Sequence, residues 1–326
     1  MFVAASILIA VGAFGKNVVD PEYSSPTEPV LGGNTIKPAE TEAPTQDSEG
    51  TDDPNGTSDP SDATDGPTAE PTKDPEAPVE FPSIHNANFI GIDNSFTYWS
   101  SYWKDSGNGQ NVPVFDENIK KNIGDVEYVF IKNDSADEWE VYLTFAMHYD
   151  YGETAKILDA LKSANAKATF FVTAMYIQDN PELVKRMKDE GHLIGTRGPI
   201  GEDTEDMSAE EFAAAMLEVE KEYQKLFGEK ERMTVYRPDY FSARTLKVAE
   251  ALEYEIVFRT YTAVSDEAGW DKNKTDSAEI ALRLWERGAY EGSVPEFTVS
   301  KHISGAIAAY LKECNENNIT FKRLDQ

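Results

Sequence analysis

The chain has 326 residues and a formal net charge of −29, from 59 acidic and 30 basic side chains. That length can bury a core for one or two domains, while the charge excludes nucleic-acid backbone and anionic membrane faces as partners. A single cysteine, Cys314, excludes an intrachain disulfide framework and a cysteine-rich zinc site.

Residues 1–14, MFVAASILIAVGAF, form an unbroken apolar run. It is shorter than the ~20 residues that span a bilayer as a helix, and suits the apolar part of a signal peptide. A membrane anchor and an element of an assembly are the alternatives; we assign 1–19 to this segment. Residues 20–80 read as a disordered acidic linker. Between 21 and 80 lie 15 acidic residues against Lys37 and Lys73, and 11 of the 17 prolines. So few apolar groups cannot offset the entropy of ordering the backbone. An apolar start, a Pro/Thr/acid tether and a globular remainder make the layout of a secreted or cell-surface bacterial protein.

Residues 81–137 are expected to be an aromatic-rich extension of the following domain. The stretch 89–103, FIGIDNSFTYWSSYW, offers rings that either pack or stack on sugars; 104–113 is a loop by composition. From 138 to 326 strand-like and helix-like segments alternate. Strands are predicted at 139–145, 167–173, 192–196, 233–237, 255–260, 292–300 and 319–324. Pro295 disturbs the sixth of these. Helices are predicted at 153–164, from Pro181 (capped by Asn180) to Gly191, from a Ser208/Glu211 capping box to Phe227, at 243–253, 277–288 and 302–316. Repeated strand–helix units predict a mostly parallel sheet or barrel with helices outside. Reactive groups of barrels gather at the C-terminal strand ends.

The order YLTF…YGETAKILDALKSANAKATFFVTAMYIQDNPELVKRMKDEGHLIGT…YRP…RTLKVAEALEYEIVF…TVSKHISGAIAAYLKECNENNITFKRLD resembles the polysaccharide deacetylase (NodB-like) family, closest to peptidoglycan and muramic-acid N-deacetylases. The resemblance covers 138–326, and the aromatic segment from 89 shares it. It implies an α/β fold, a distorted (β/α) barrel, and one divalent metal that polarises the acetamide and its attacking water. It also implies a general base and a metal-binding aspartate at the positions of Ala146 and Met147. Two metal-binding histidines are implied at Arg197 and Gly201, a base-orienting arginine at Arg237 and a general-acid histidine at Phe297. Alanine and phenylalanine transfer no proton, a thioether is a poor ligand for a hard or borderline metal, and a guanidinium has no lone pair to give.

The reading is therefore a catalytically inactive deacetylase-like domain with no cofactor. It binds cell-wall glycan or peptidoglycan through candidates Trp99, Arg237, Tyr240, Phe241 and Trp270. Two alternatives stay open. One is a structural module that assembles with its own copies or other surface proteins. The other is a divergent deacetylase with a displaced metal site at His148, Asp150, Glu202 and Asp203. His192, His85 and His302 form no ligand-spacing pattern and read as structural.

Overall fold

The structure is a computed structural model that describes residues 78–98, 101–105, 111–132, 139–200, 202–263 and 277–326. All belong to one unit, Glu70–Gln326. The export signal and the acidic linker lie outside the described residues. The possible N-terminal membrane anchor is corrected. Among the described residues no helix is long and apolar enough to cross a membrane.

Eight strands build the main sheet: β1 (Tyr128–Val129), β2 (Thr144–Ala146), β3 (Thr169–Val172), β4 (Leu193–Thr196), β5 (Val235–Tyr236), β6 (Glu255–Val257), β7 (Tyr261–Ala263) and β8 (Pro295–Thr298). Their order is β7-β8-β2-β3-β4-β5-β6-β1, and every pairing is parallel. Among the described residues β7 and β1 are the edges of the sheet, so the expected distorted barrel takes the form of a half-barrel. Among the described residues eight helices accompany it: α1 (Glu117–Ile123), α2 (Thr154–Ser163), α3 (Ala174–Asp179), α4 (Pro181–Asp189), α5 (Ala209–Phe227), α6 (Ala243–Ala251), α7 (Ser277–Gly288) and α8 (Lys301–Glu316).

Local chemistry sets several boundaries. Ser208 and Glu211 close the capping box that starts α5. Pro181 stands at the first turn of α4, but the Asn180 side chain does not cap it and donates instead to the Tyr176 carbonyl at 3.3 Å. Pro295 opens β8 rather than interrupting it, where its missing N–H costs no ladder bond. The expected strand 139–145 splits. Trp139–Val141 pairs with Ile319–Phe321 in a separate two-stranded sheet, and only Thr144–Ala146 joins the main one. The stretch expected as a loop, 104–113, runs into both strands of a hairpin, Ser101–Asp105 against Asn111–Phe115. The strand β7 follows β6 after a three-residue bend that periodicity does not reveal.

Two cores lie on opposite faces of the sheet. The larger one fills the space between sheet and helices. Phe145 stacks on Phe170 at 5.0 Å, and Phe297 meets Phe145 and, from α8, Tyr310 edge-on. The smaller one lines the concave inner face with Tyr142, Phe171, Val235, Val257, Val294 and Leu324. Side chains alternate between the faces along each strand. Gly195 leaves the inner face room, since a Cβ there would sit 2.5 Å from Val235 Cγ2 and 2.9 Å from the Phe171 ring.

Candidate functional site

One step of two residues beyond the inner layer carries four of the strands from a small or apolar residue to a charged one. Gly195 leads to Arg197, Val235 to Arg237, Val257 to Arg259 and Val294 to Glu296. Because the strands are parallel, these residues converge at the C-terminal end of the half-barrel.

Arg237 is fully buried. Its Nη1 donates to Glu296 Oε2 at 3.1 Å and to the Thr144 hydroxyl, and its guanidinium lies 4.2 Å from the centre of the Phe171 ring. Glu296 also faces Arg259, with Nε at 3.5 Å from Oε1. Asp239 bridges the remaining cations, accepting from Arg259 Nη1 at 3.3 Å and from Arg197 Nη2. The result is a layer of three guanidiniums and two carboxylates closing the inner core. Burial pushes the Arg237 guanidinium down to about 10, against the pull of Glu296 and with the push of Arg259. Burial alone would raise Asp239; Arg197 and Arg259 outweigh it and hold this carboxyl below the usual range.

The metal implied by the sequence resemblance does not fit these residues. Ala146 faces the mouth without a donor atom. The Met147 side chain is buried in the outer core, and its N–H donates to the Phe171 carbonyl at 2.9 Å. Arg197 is held by Asp239 as a cation. Gly201 lies outside the described residues, and a hydrogen side chain supplies no ligand. Phe297 turns to the helix layer, where it packs on Phe145 and Tyr310. Gly198 fixes the turn after β4: its φ is +66°, and a Cβ would sit 2.6 Å from Met216 Sδ. Any larger residue there would have to displace the Met216 side chain and the Tyr236 ring and hold a left-handed backbone.

Of the displaced-site candidates, the structure describes the side chains of His148 and Asp150 only. Asp150 accepts the amides of Gly152 and Thr154 at 2.9 and 3.0 Å, a turn-forming role. His148 packs edge-on against Tyr149. The side chains of Glu202 and Asp203 are outside the described residues. Among the described residues, no three His, Cys, Asp or Glu are placed to hold a metal ion.

Of the glycan candidates, Tyr240 is 47% exposed at the mouth. Phe241 is corrected: it is buried, with its ring 5.1 Å from that of Phe258. Arg237 is corrected likewise, since its fully buried guanidinium has no surface for a ligand. Trp99 and Trp270 lie outside the described residues. The mouth supplies other exposed groups. Tyr149 and Tyr151 follow β2, Met175 follows β3 and Ile200 follows β4. With Tyr240 they make five of the nine exposed large apolar side chains among the described residues. Tyr151 holds a φ of +52°, rare for an aromatic, and is 73% exposed.

Sequence reasoning missed Thr144, Asp239, Arg259 and Glu296. A signal was present: the triplets VYR (235–237), VFR (257–259) and VPE (294–296) repeat a valine two places before a charge. His192 is structural, as expected. It is buried and its Nδ1 accepts the Ala168 N–H at 3.2 Å. The Cys314 thiol is buried in α8 and pushed up to about 12 by that burial, which removes its nucleophilic form.

Comparison with known proteins places this architecture. The family model described as polysaccharide deacetylase matches residues 133–257. Peptidoglycan-N-acetylmuramic acid deacetylase PdaA of Bacillus subtilis is 31% identical over 190 residues, covering 58% of this chain and 71% of that protein. The chain belongs to the polysaccharide deacetylase family. The solved structure of Bacillus subtilis PdaA, a family 4 carbohydrate esterase, matches with a TM-score of 0.62 and 26% identity. The match covers 72% of this chain and 97% of that one. A family 4 carbohydrate esterase pseudoenzyme from Bacillus anthracis shares the fold, with a TM-score of 0.51 and 16% identity over 62% of this chain and 69% of that one. Within the deacetylase family, then, this chain keeps the scaffold and carries a charge layer at the mouth where the resemblance implies a metal centre.

Proposed function

We propose that the half-barrel binds cell-wall glycan at its C-terminal mouth without deacetylating it, as the outer domain of a secreted or surface-attached bacterial protein. The observation that carries this reading is a rim of exposed tyrosines, Tyr149, Tyr151 and Tyr240, around a mouth whose floor is arginine and carboxylate rather than metal ligands. Tyrosine faces stack on the apolar faces of sugar rings, and their hydroxyls reach sugar hydroxyls. Ala146 and Phe297 cannot move the protons that amide hydrolysis requires. Support also comes from the relatives, several of which are named as peptidoglycan deacetylases of Bacillus and Listeria.

The test uses the full chain with purified, insoluble peptidoglycan. The chain should co-sediment with the glycan and release no acetate, with or without added zinc. Combining Y149A, Y151A and Y240A should reduce the retained fraction about tenfold or more. Acetate released above the blank, or no co-sedimentation, would sink the reading.

A further inference from the structure

The loop between β2 and α2 holds an aromatic residue in a conformation that side chains avoid. Tyr151 has a φ of +52°, in the left-handed region where a Cβ crowds the following carbonyl oxygen. Its ring is 73% exposed, so burial does not offset that strain. Asp150 holds the backbone instead. Its two carboxylate oxygens accept the Gly152 and Thr154 amides at 2.9 and 3.0 Å, and its carbonyl accepts the Glu153 N–H at 3.1 Å. The far end of the loop is anchored in the core, where the Thr154 hydroxyl meets the buried Tyr176 hydroxyl at 3.0 Å. The rings of the loop support one another. His148 lies 4.2 Å from Tyr149 at an interplanar angle of 78°, and Tyr149 lies 5.7 Å from Tyr151 at 60°. Both tyrosines are exposed, so they form an open corner of two planes rather than a flat strip.

We propose that Asp150 is a positioning residue that holds Tyr149 and Tyr151 as a rigid corner, and that this corner takes a single glycan chain rather than the flat face of a crystalline polysaccharide. The inference deepens the glycan-binding reading and rests on it. Sugar rings stack on the faces of tyrosines. A crystalline polysaccharide presents its rings in one plane, and two tyrosines inclined at 60° cannot both lie on it. A separate chain turns from one sugar to the next and can lay successive rings on the two planes. A loop already fixed in its binding shape loses little conformational entropy when the ligand arrives. That gives the strained backbone at Tyr151 a purpose at this mouth.

The experiment measures retention of the full chain on insoluble peptidoglycan and on crystalline chitin, and calorimetric binding of a soluble N-acetylglucosamine oligomer. Peptidoglycan and the oligomer should bind, and crystalline chitin should retain at least about tenfold less. D150A should stay folded by circular dichroism yet lower affinity for the oligomer about tenfold, and D150N, which keeps one acceptor oxygen, should recover part of that loss. Y151G should lower affinity as well, while its melting temperature holds or rises because glycine accepts the left-handed backbone. A merely structural loop predicts that stability and affinity fall together in Y151G. Oligomer affinity unchanged in D150A would overturn the positioning role. Retention on crystalline chitin equal to that on peptidoglycan would overturn the corner's selectivity and leave the glycan reading standing. Binding to none of the three would end the glycan reading and this inference with it.

Discussion

The two faces of the sheet solve different problems with the same strands. The outer face buries Phe145, Phe170, Phe297 and Tyr310 against helices, so its stability follows from apolar area and close packing. The inner face buries a thin apolar layer and then places three arginines and two carboxylates on top of it. Neighbours one residue apart on β8 belong to these two regimes, Glu296 inside and Phe297 outside. The scaffold can therefore remain a deacetylase fold while its mouth changes chemistry, because Ala146, Arg197 and Arg237 lie on the inner face and the changed outer positions, Met147 and Phe297, are apolar and join the helix-side core.

That contrast breaks most visibly at β8. E296A would leave Arg237 buried without its carboxylate and should cost about 3–5 kcal/mol by chemical denaturation. F297A should cost about as much, through cavity formation. The two differ in remedy: adding R237M, which removes the unpaired charge, should recover part of the loss in E296A and none in F297A. Recovery in both, or in neither, would mean that the faces are not separate.

The pH dependence sharpens the comparison with two buried groups on the helix side. Glu220 in α5 is pushed up to about 7 by burial, against hydrogen bonds from the Tyr254 hydroxyl and the Met233 N–H. Its folded form holds the proton more tightly than its unfolded form, whose value is 4.5. Stability from this group is therefore complete below about 4.5 and lost as pH rises through 7. His192 runs the other way: burial pushes it down to about 4 from 6.5, so its contribution is complete above 6.5 and lost as pH falls toward 4. Each is worth up to about 3 kcal/mol. Between pH 4.5 and 6.5 the two nearly cancel, and stability should fall from 6.5 to 7. E220Q should unmask a rise in stability from pH 4 to 6.5, while H192N should unmask a decline from 4.5 to 7. Denaturation midpoints across that range test both signs.

Smaller effects follow at the mouth. G198A meets a left-handed backbone and the Met216 sulfur, and should cost about 1–3 kcal/mol. Y240A should change stability by less than about 0.5 kcal/mol, yet lower peptidoglycan retention. A large loss of stability in Y240A would assign that ring to packing.

The outer face was largely legible in the sequence. Its 3.6-residue stripes, the Ser208 box and Gly228 after α5 each announce an element, and local chemistry decides each of them. The inner face was legible in one direction only. The family pattern marked Ala146, Met147, Arg197 and Phe297 as unable to perform the family's chemistry. It did not say what occupies the space, because Arg259, Asp239 and Glu296 come from distant parts of the chain and meet only when four strands align. Phe241 looked like a contact residue because a ring beside a strand end reads the same whether it faces ligand or core. The distorted barrel takes the form of a half-barrel, a detail that strand count does not reveal.

The central claim is that a charge layer stands where the fold family implies a metal centre. Its most direct test is native mass spectrometry of the full chain after zinc loading and exhaustive dialysis. The account predicts that no zinc remains, in the wild type and in R197Q alike. One zinc retained per chain in the wild type, and lost on substituting residues at the mouth, would contradict it.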